Sequence, residues 1–157
     1  MNKLIACAAV LILAACGFHL KGQSPYSRLP YQNWYIGGGE MQQALEDALI
    51  RAKGRPSAAR SAQASVVLEQ ITPRRDVLTV TRAALINEYM LALDVRIQAY
   101  RGGEAWGKPF TVSVRRNMAY ADSRVLGKQE EEAQIWQEMQ RDAAEQIVRR
   151  LAFLDAR

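Results

Sequence analysis

Glu88-Tyr89-Met90-Leu91-Ala92-Leu93-Asp94-Val95-Arg96-Ile97-Gln98-Ala99-Tyr100 is the stretch on which the fold turns. Tyr89, Leu91, Leu93, Val95, Ile97 and Ala99 alternate with Met90, Ala92, Asp94, Arg96 and Gln98, the period of two that sends successive side chains to opposite faces of a strand. One face is apolar and looks inward; the other is mixed and open to a partner. Arg101-Gly102-Gly103-Glu104 supplies turn chemistry, after which Phe110, Val112, Val114, Met118 and Tyr120 alternate with Thr111, Ser113, Arg115, Asn117 and Ala119. The two segments read as an antiparallel hairpin. Pro109 lacks an amide donor and belongs at a strand start or an exposed edge.

Upstream, a strand is expected from about Ala64 to Thr72 through Val66, Val67, Leu68 and Ile71, with its face assignment open. Pro73-Arg74-Arg75-Asp76 interrupts the apolar pattern. Val77-Leu78-Thr79-Val80 either extends the same ribbon beyond a bend or forms an irregular edge. Earlier still, Tyr31 to Ile36 reads as a short strand. Gly37-Gly38-Gly39 then precedes a helix over Glu40 to Ala52, in which Met41, Leu45, Ala48, Leu49 and Ala52 share one face. Lys53-Gly54-Arg55-Pro56-Ser57 stops it.

Downstream, Asp122 or Ser123 can cap a last helix from about Val125 to Phe153, roughly 43 Å long at 1.5 Å per residue. Trp136, Met139, Ala143, Ile147, Arg150 and Leu154 trace its inner stripe, broadened by Val148 and Leu151, with the Arg150 charge at the rim. The expected fold class is α+β, with two helices packed against one face of a mixed, mostly antiparallel sheet of about four strands.

Length and composition agree with one such body. The 157 residues carry 49% hydrophobic and 24% charged side chains, which argues against a disordered tail or a multi-span membrane protein. Lys plus Arg outnumber Asp plus Glu by 21 to 16, a mild excess spread along the chain instead of the concentrated basic stripe of a nucleic-acid binder.

The N-terminus has its own logic. Lys3 gives a positive start, and Leu4 to Ala15 is nearly unbroken apolar sequence, of the length of a signal-peptide core and short for a bilayer span. Leu13-Ala14-Ala15-Cys16 resembles the bacterial lipobox, in which the cysteine thiol takes a diacylglyceryl group and becomes the first residue after cleavage. The expected division is 1–15 signal peptide, 16–29 lipidated tether, 30–154 one α+β domain and 155–157 the C-terminal end. Cys7 would leave with the signal, so no internal disulfide is expected. Gly17, where an aspartate would mark inner-membrane retention in many enteric-type bacteria, favours the outer membrane.

No catalytic constellation is legible. His19 is the single imidazole, and it reads as a positional or interface residue; there is no zinc-like Cys/His set. Glu130, Glu131 and Glu132 are consecutive, so they radiate around a helix instead of forming an acid/base pair. Gly37-Gly38-Gly39 lacks both the Rossmann spacing and a phosphate-loop lysine, and reads as a turn. Trp34, Trp106 and Trp136 read as packing or partner contacts. Neither an enzyme, nor a cofactor, nor a metal site is expected.

Three stretches together resemble a known family: Cys16-Gly17-Phe18-His19-Leu20-Lys21-Gly22, Arg82 with Glu88-Tyr89, and Met139-Gln140-Arg141-Asp142-Ala143-Ala144-Glu145-Gln146-Ile147-Val148-Arg149-Arg150-Leu151. With them the chain is similar to the lipopolysaccharide-assembly lipoprotein family LptE over nearly its whole mature length. The resemblance implies an outer-membrane lipoprotein, lipid-anchored through Cys16, lodged as a plug in an LptD-like β-barrel and helping to assemble it. It also implies binding of lipopolysaccharide and aid to its insertion in the outer leaflet. Arg82 corresponds to a lipid-binding arginine and Lys128 to a basic position early in the last helix, each able to neutralise phosphate. The Arg82 turn, Thr81-Arg82-Ala83-Ala84, departs from the pattern in having no loop glycine. Arg74 and Arg75 would enlarge the basic patch or form a solvated turn. For Arg82 and Lys128 the ordinary alternative, a solvated charge or ion pair, stays open. So does a second function, that of a periplasm-facing envelope scaffold without lipopolysaccharide contact.

Overall fold

The strand centred on Leu93 and Val95 spans Ile86–Arg101 and has neighbours on both edges. In this computed structural model, which describes residues 29–80, 86–120 and 125–154, the strands are β1 (Asn33–Gly37), β2 (Arg55–Pro56), β3 (Ala64–Val80), β4 (Ile86–Arg101), β5 (Glu104–Ala105) and β6 (Phe110–Ala119). Helix α1 covers Gln42–Arg51 after a 3-10 turn at Gly39–Met41, and helix α2 covers Val125–Leu151. The sheet runs β2-β1-β3-β4, with β5 and β6 both along the far edge of β4. β1 is parallel to β2 and β3; the pairings of β4 with β3, β5 and β6 are antiparallel. The result is a mixed, mostly antiparallel α+β sheet whose helices share one face. Cys16, His19, Arg82 and the capping candidates Asp122 and Ser123 lie outside the described residues.

The alternation in β4 is realised on its helix-facing side: Leu91, Leu93, Val95, Ile97 and Ala99 are all buried. Val112, Val114 and Met118 from β6, and Ala64 and Val66 from β3, extend that floor. Leu45, Ala48 and Leu49 of α1 and Met139, Ala143, Ala144, Ile147, Val148 and Leu151 of α2 close over it. Spacing by three and four puts each helix's set on one stripe, so a single layer of helix can seal the apolar face. No helix among the described residues is long and apolar enough to cross a bilayer.

β3 runs further than the sequence pattern suggested, unbroken from Ala64 to Val80. Two features reconcile the pattern with one strand. The register slips between Leu68 and Gln70, so the residues opposite the inward row of β4 change from Val66 and Leu68 to Ile71, Pro73 and Arg75. An extra residue at Glu69 thus reverses which parity faces the helices. Pro73 is tolerated because β1 pairs only with Ala64 to Val67, which leaves the outer edge of β3 without a described partner further on.

That parity puts arginines where the alternation would call for apolar residues. Arg75 and Arg116 both sit opposite Leu91, one on each side, and both face α2. Arg75 Nη1 lies 3.0 Å from Glu132 Oε2, and its guanidinium lies 4.9 Å from the Tyr89 ring centre. Arg116 Nη2 lies 2.9 Å from Asp142 Oδ2. At the other end of α2, Arg150 donates to the Thr111 carbonyl at 2.9 Å and stacks over Phe110, the rim position its place in the stripe implied. These half-exposed pairs orient the long helix across the sheet and add little to stability individually.

The glycine run is a structural turn. Gly39 has φ +52°, and a Cβ on Gly38 would come within 2.7 Å of the Gln42 Cα. The Gly38 amide is already taken by Gln42 Oε1 at 2.8 Å.

Candidate functional site

Two surfaces collect the residues singled out by sequence. The first is the distal end, where β3 and β4 join and α2 begins. Val80 pairs with Ile86 there, flanking the connection that holds Arg82. Tyr89 and Tyr120 meet edge to face at 5.1 Å, beneath the Arg75 guanidinium. Glu132 joins Arg75 and also accepts from Trp136 Nε1 at 3.3 Å. One turn before Glu132, Lys128 Nζ lies 2.6 Å from Glu131 Oε2, with only 17% of its side chain exposed. A phosphate reaching Lys128 therefore has to displace or bridge Glu131. Val77, Leu78 and Val80 are exposed beside these charges, giving the same end apolar surface.

The second surface is the sheet face opposite the helices, which no described element covers as a layer. Arg74 lies here, not beside Arg75: neighbours on a strand point to opposite faces, so the structure separates the two. Arg74 Nη2 donates to Asp94 Oδ2 at 2.7 Å, and the Ser113 hydroxyl donates to the other Asp94 oxygen. Arg96 pairs with Glu69 at 2.8 Å. Gln70, Thr72 and Thr111 complete a shallow polar depression around Asp94 and Arg96. Arg74 and Arg115 flank Ala92 in register, and Ala92 is buried. Towards β5, Gln98 is buried but satisfied, donating to the carbonyls of Ala99 and Gly107.

The hydrogen bond from Ser113, with Arg74 next to it, holds the Asp94 carboxyl below the usual carboxylate range. A lowered folded pKa contributes stability that is complete above the unfolded value and is lost as pH falls through the folded one. Asp94→Asn is therefore expected to flatten the acid limb of stability below about pH 4. Urea midpoints at successive pH values should fall less steeply for the variant than for wild type; parallel curves would show that Asp94 is not held in this way.

The tryptophans divide as packing residues. Trp34 is fully buried, stacked on Trp106 at 6.1 Å, with Nε1 donating to the Tyr31 carbonyl at 2.8 Å. Trp136 is partly buried against the core. Arg116 was missed by sequence reasoning, although the phase set by Val112, Val114 and Met118 places it on the helix side.

Among the described residues, a single helical layer covers one side of a mixed sheet whose other side is polar and ion-paired. The family model described as LptE, Lipopolysaccharide-assembly, matches residues 30–151. The chain therefore belongs to the LptE family, and is a non-enzymatic lipoprotein with a general role at the outer membrane. It is 28% identical to the LPS-assembly lipoprotein LptE of Pectobacterium atrosepticum, over 94% of this chain and 82% of that one. Its fold is similar to the solution structure of lipoprotein B from Nitrosomonas europaea (TM-score 0.71, 22% identity, 87% of this chain and 90% of that one). It is also similar to the crystal structure of a minor lipoprotein from Acinetobacter baumannii (TM-score 0.67, 22% identity, 80% and 93%).

Proposed function

We propose that the protein, acylated at Cys16, sits as a plug in the lumen of an LptD-like outer-membrane β-barrel, helps that barrel to assemble, and binds lipopolysaccharide on its way to the outer leaflet. The observation that carries this reading is the uncovered sheet face. Gln70, Thr72, Arg74, Asp94, Arg96, Thr111 and Ser113 make it polar and largely self-paired, and the lumen of a transmembrane barrel is itself polar. Charges that already have partners can enter such an interface without the cost of an unpaired buried ion. Family membership supports the same partner.

For lipopolysaccharide, the distal end combines what an anionic glycolipid requires. Arg82 and Lys128 are the phosphate contacts we propose, and Arg75 faces the same end of α2 through Glu132. Arg74 is assigned instead to the uncovered face. Exposed Val77, Leu78 and Val80 offer apolar surface for acyl chains.

Arg82→Ala combined with Lys128→Ala is expected to weaken lipopolysaccharide binding about a hundredfold or more, at about 1.5–3 kcal/mol for each lost charged hydrogen bond. Rising salt should weaken wild-type binding too, by screening exposed charge. Retained co-purification with the barrel would show an intact fold. Unchanged affinity across salt conditions would remove Arg82 and Lys128 from the site while leaving the plug role standing.

A further inference from the structure

Most of the charge on the uncovered sheet face is settled within the face itself. Of the charged side chains that β3, β4 and β6 turn to it, Arg74 pairs with Asp94 and Arg96 with Glu69, and Glu88 accepts from the Thr79 hydroxyl at 3.2 Å. Two are left over. The side chains of Arg115 and Asp76 are exposed, and neither has an ion-pair or hydrogen-bond partner among the described residues. Asp94, one step along from Arg115, already has both carboxylate oxygens occupied, by Arg74 and by Ser113. The register fixes where the two unpaired charges stand. Arg115 flanks Ala92 on β6, across from Arg74, and Asp76 flanks Met90 on β3, across from Asn117. They lie two strands and one two-residue step apart, about 12 Å, with opposite signs on opposite sides of β4.

We infer that Arg115 and Asp76 are the keys of this face: Arg115 meets a carboxylate on the barrel wall, Asp76 meets a wall cation, and together they set the rotation of the body in the lumen. The inference rests on the plug reading above. An exposed arginine is hydrated in water, but pressed against another protein it loses that hydration and requires a fixed anion. A carboxylate suits it, since guanidinium and carboxylate engage through two parallel hydrogen bonds. The pairs of Arg74 with Asp94 and Arg96 with Glu69 carry no net charge, so they suit a polar lumen in many settings and give the face no direction. Half a turn about the normal to the sheet would bring Arg115 over the wall cation and Asp76 over the wall carboxylate, two like-charge contacts in place of two attractive ones. One setting is therefore selected. This contact leaves Arg82 and Lys128 to the glycolipid, as proposed above.

The test uses the full acylated protein in cells that carry two differently tagged copies, one wild type and one variant, competing for the same barrel. Arg115→Glu is expected to be recovered with the barrel at least about tenfold less than wild type, because a desolvated attraction becomes a repulsion. Arg115→Gln, which removes only the charge, should fall between the two, and Asp76→Lys should lose out in the same direction. Arg60→Glu, an exposed change of the same charge outside β3, β4 and β6, should compete evenly. Circular dichroism of each purified variant should match wild type, since both keys are exposed. A photo-crosslinking residue at Asn117, beside Arg115 on the same face, should capture a barrel peptide with a lumen-facing Asp or Glu, and changing that carboxylate to Arg should restore Arg115→Glu. Even competition by Arg115→Glu, with the barrel still captured from Asn117, would overturn the keys and leave the plug standing. A loss that the exchanged wall charge fails to restore, or crosslinks from Asn117 to lipopolysaccharide instead of protein, would also overturn them. Absence of any barrel adduct from both Asn117 and Gln70 in otherwise wild-type protein would overturn the plug reading itself.

Discussion

Trp34→Ala is expected to lower the free energy of unfolding by about 3–5 kcal/mol, a large fraction of what a domain of this size has. Trp34 is completely buried where β1, the start of β3 and the 104–107 segment converge. Truncation removes its stacking on Trp106, opens a cavity under Tyr31, and leaves the Tyr31 carbonyl without its indole donor. β1 is a five-residue strand, and it alone connects the α1 and β2 side of the sheet to β3. Loosening it should therefore destabilise the parallel half of the sheet first. Trp34→Phe keeps much of the apolar volume and loses the donor, so about 1–3 kcal/mol is expected. Urea unfolding followed by far-UV circular dichroism separates the two; a loss below about 1 kcal/mol for Trp34→Ala would mean that this corner is not part of the core.

The second large effect concerns the anchor. On the lipobox reading, Cys16 carries the sulfur that accepts the diacylglyceryl group, and alanine offers no nucleophile in its place. Two acyl chains bind a bilayer durably at about 0.8 kcal/mol per buried methylene, so Cys16→Ala is expected to remove the protein from the outer-membrane fraction almost completely. Intact mass should show loss of the lipid, while the folded body, whose described core is built from Leu29 onward, should keep its thermal midpoint. Unchanged outer-membrane fractionation of Cys16→Ala would show that protein contacts, not acyl chains, hold the chain there.

Sequence alone made the centre of the molecule legible, because β4 alternates without interruption, β6 does so except at Arg116, and α1 and α2 each keep one apolar stripe. β3 was harder. The extra residue at Glu69 reverses its parity, and a reversed parity in one dimension looks like the end of a strand. Pro73 deepened that impression, since its tolerance depends on how far β1 extends, which is a long-range fact. The same holds for the parallel pairing of β1 with β3, which no local pattern encodes. Arg75 and Arg116 were obscured because alternation treats arginine as outward-facing, whereas here Glu132 and Asp142 of α2 meet them at the rim of the core. Of the proposed contacts, Cys16 and Arg82 rest on sequence, Lys128 is placed beside Glu131, and Arg74 and Arg75 fall on opposite faces.

The central claim is that the polar, uncovered sheet face lies against the inner wall of a barrel. Photo-crosslinking residues placed at Gln70 and Asn117, both exposed on that face, test it in living cells. The account predicts that both positions capture one large outer-membrane β-barrel protein. If neither yields a protein adduct, and both react freely with a water-soluble reagent in assembled membranes, the account is contradicted.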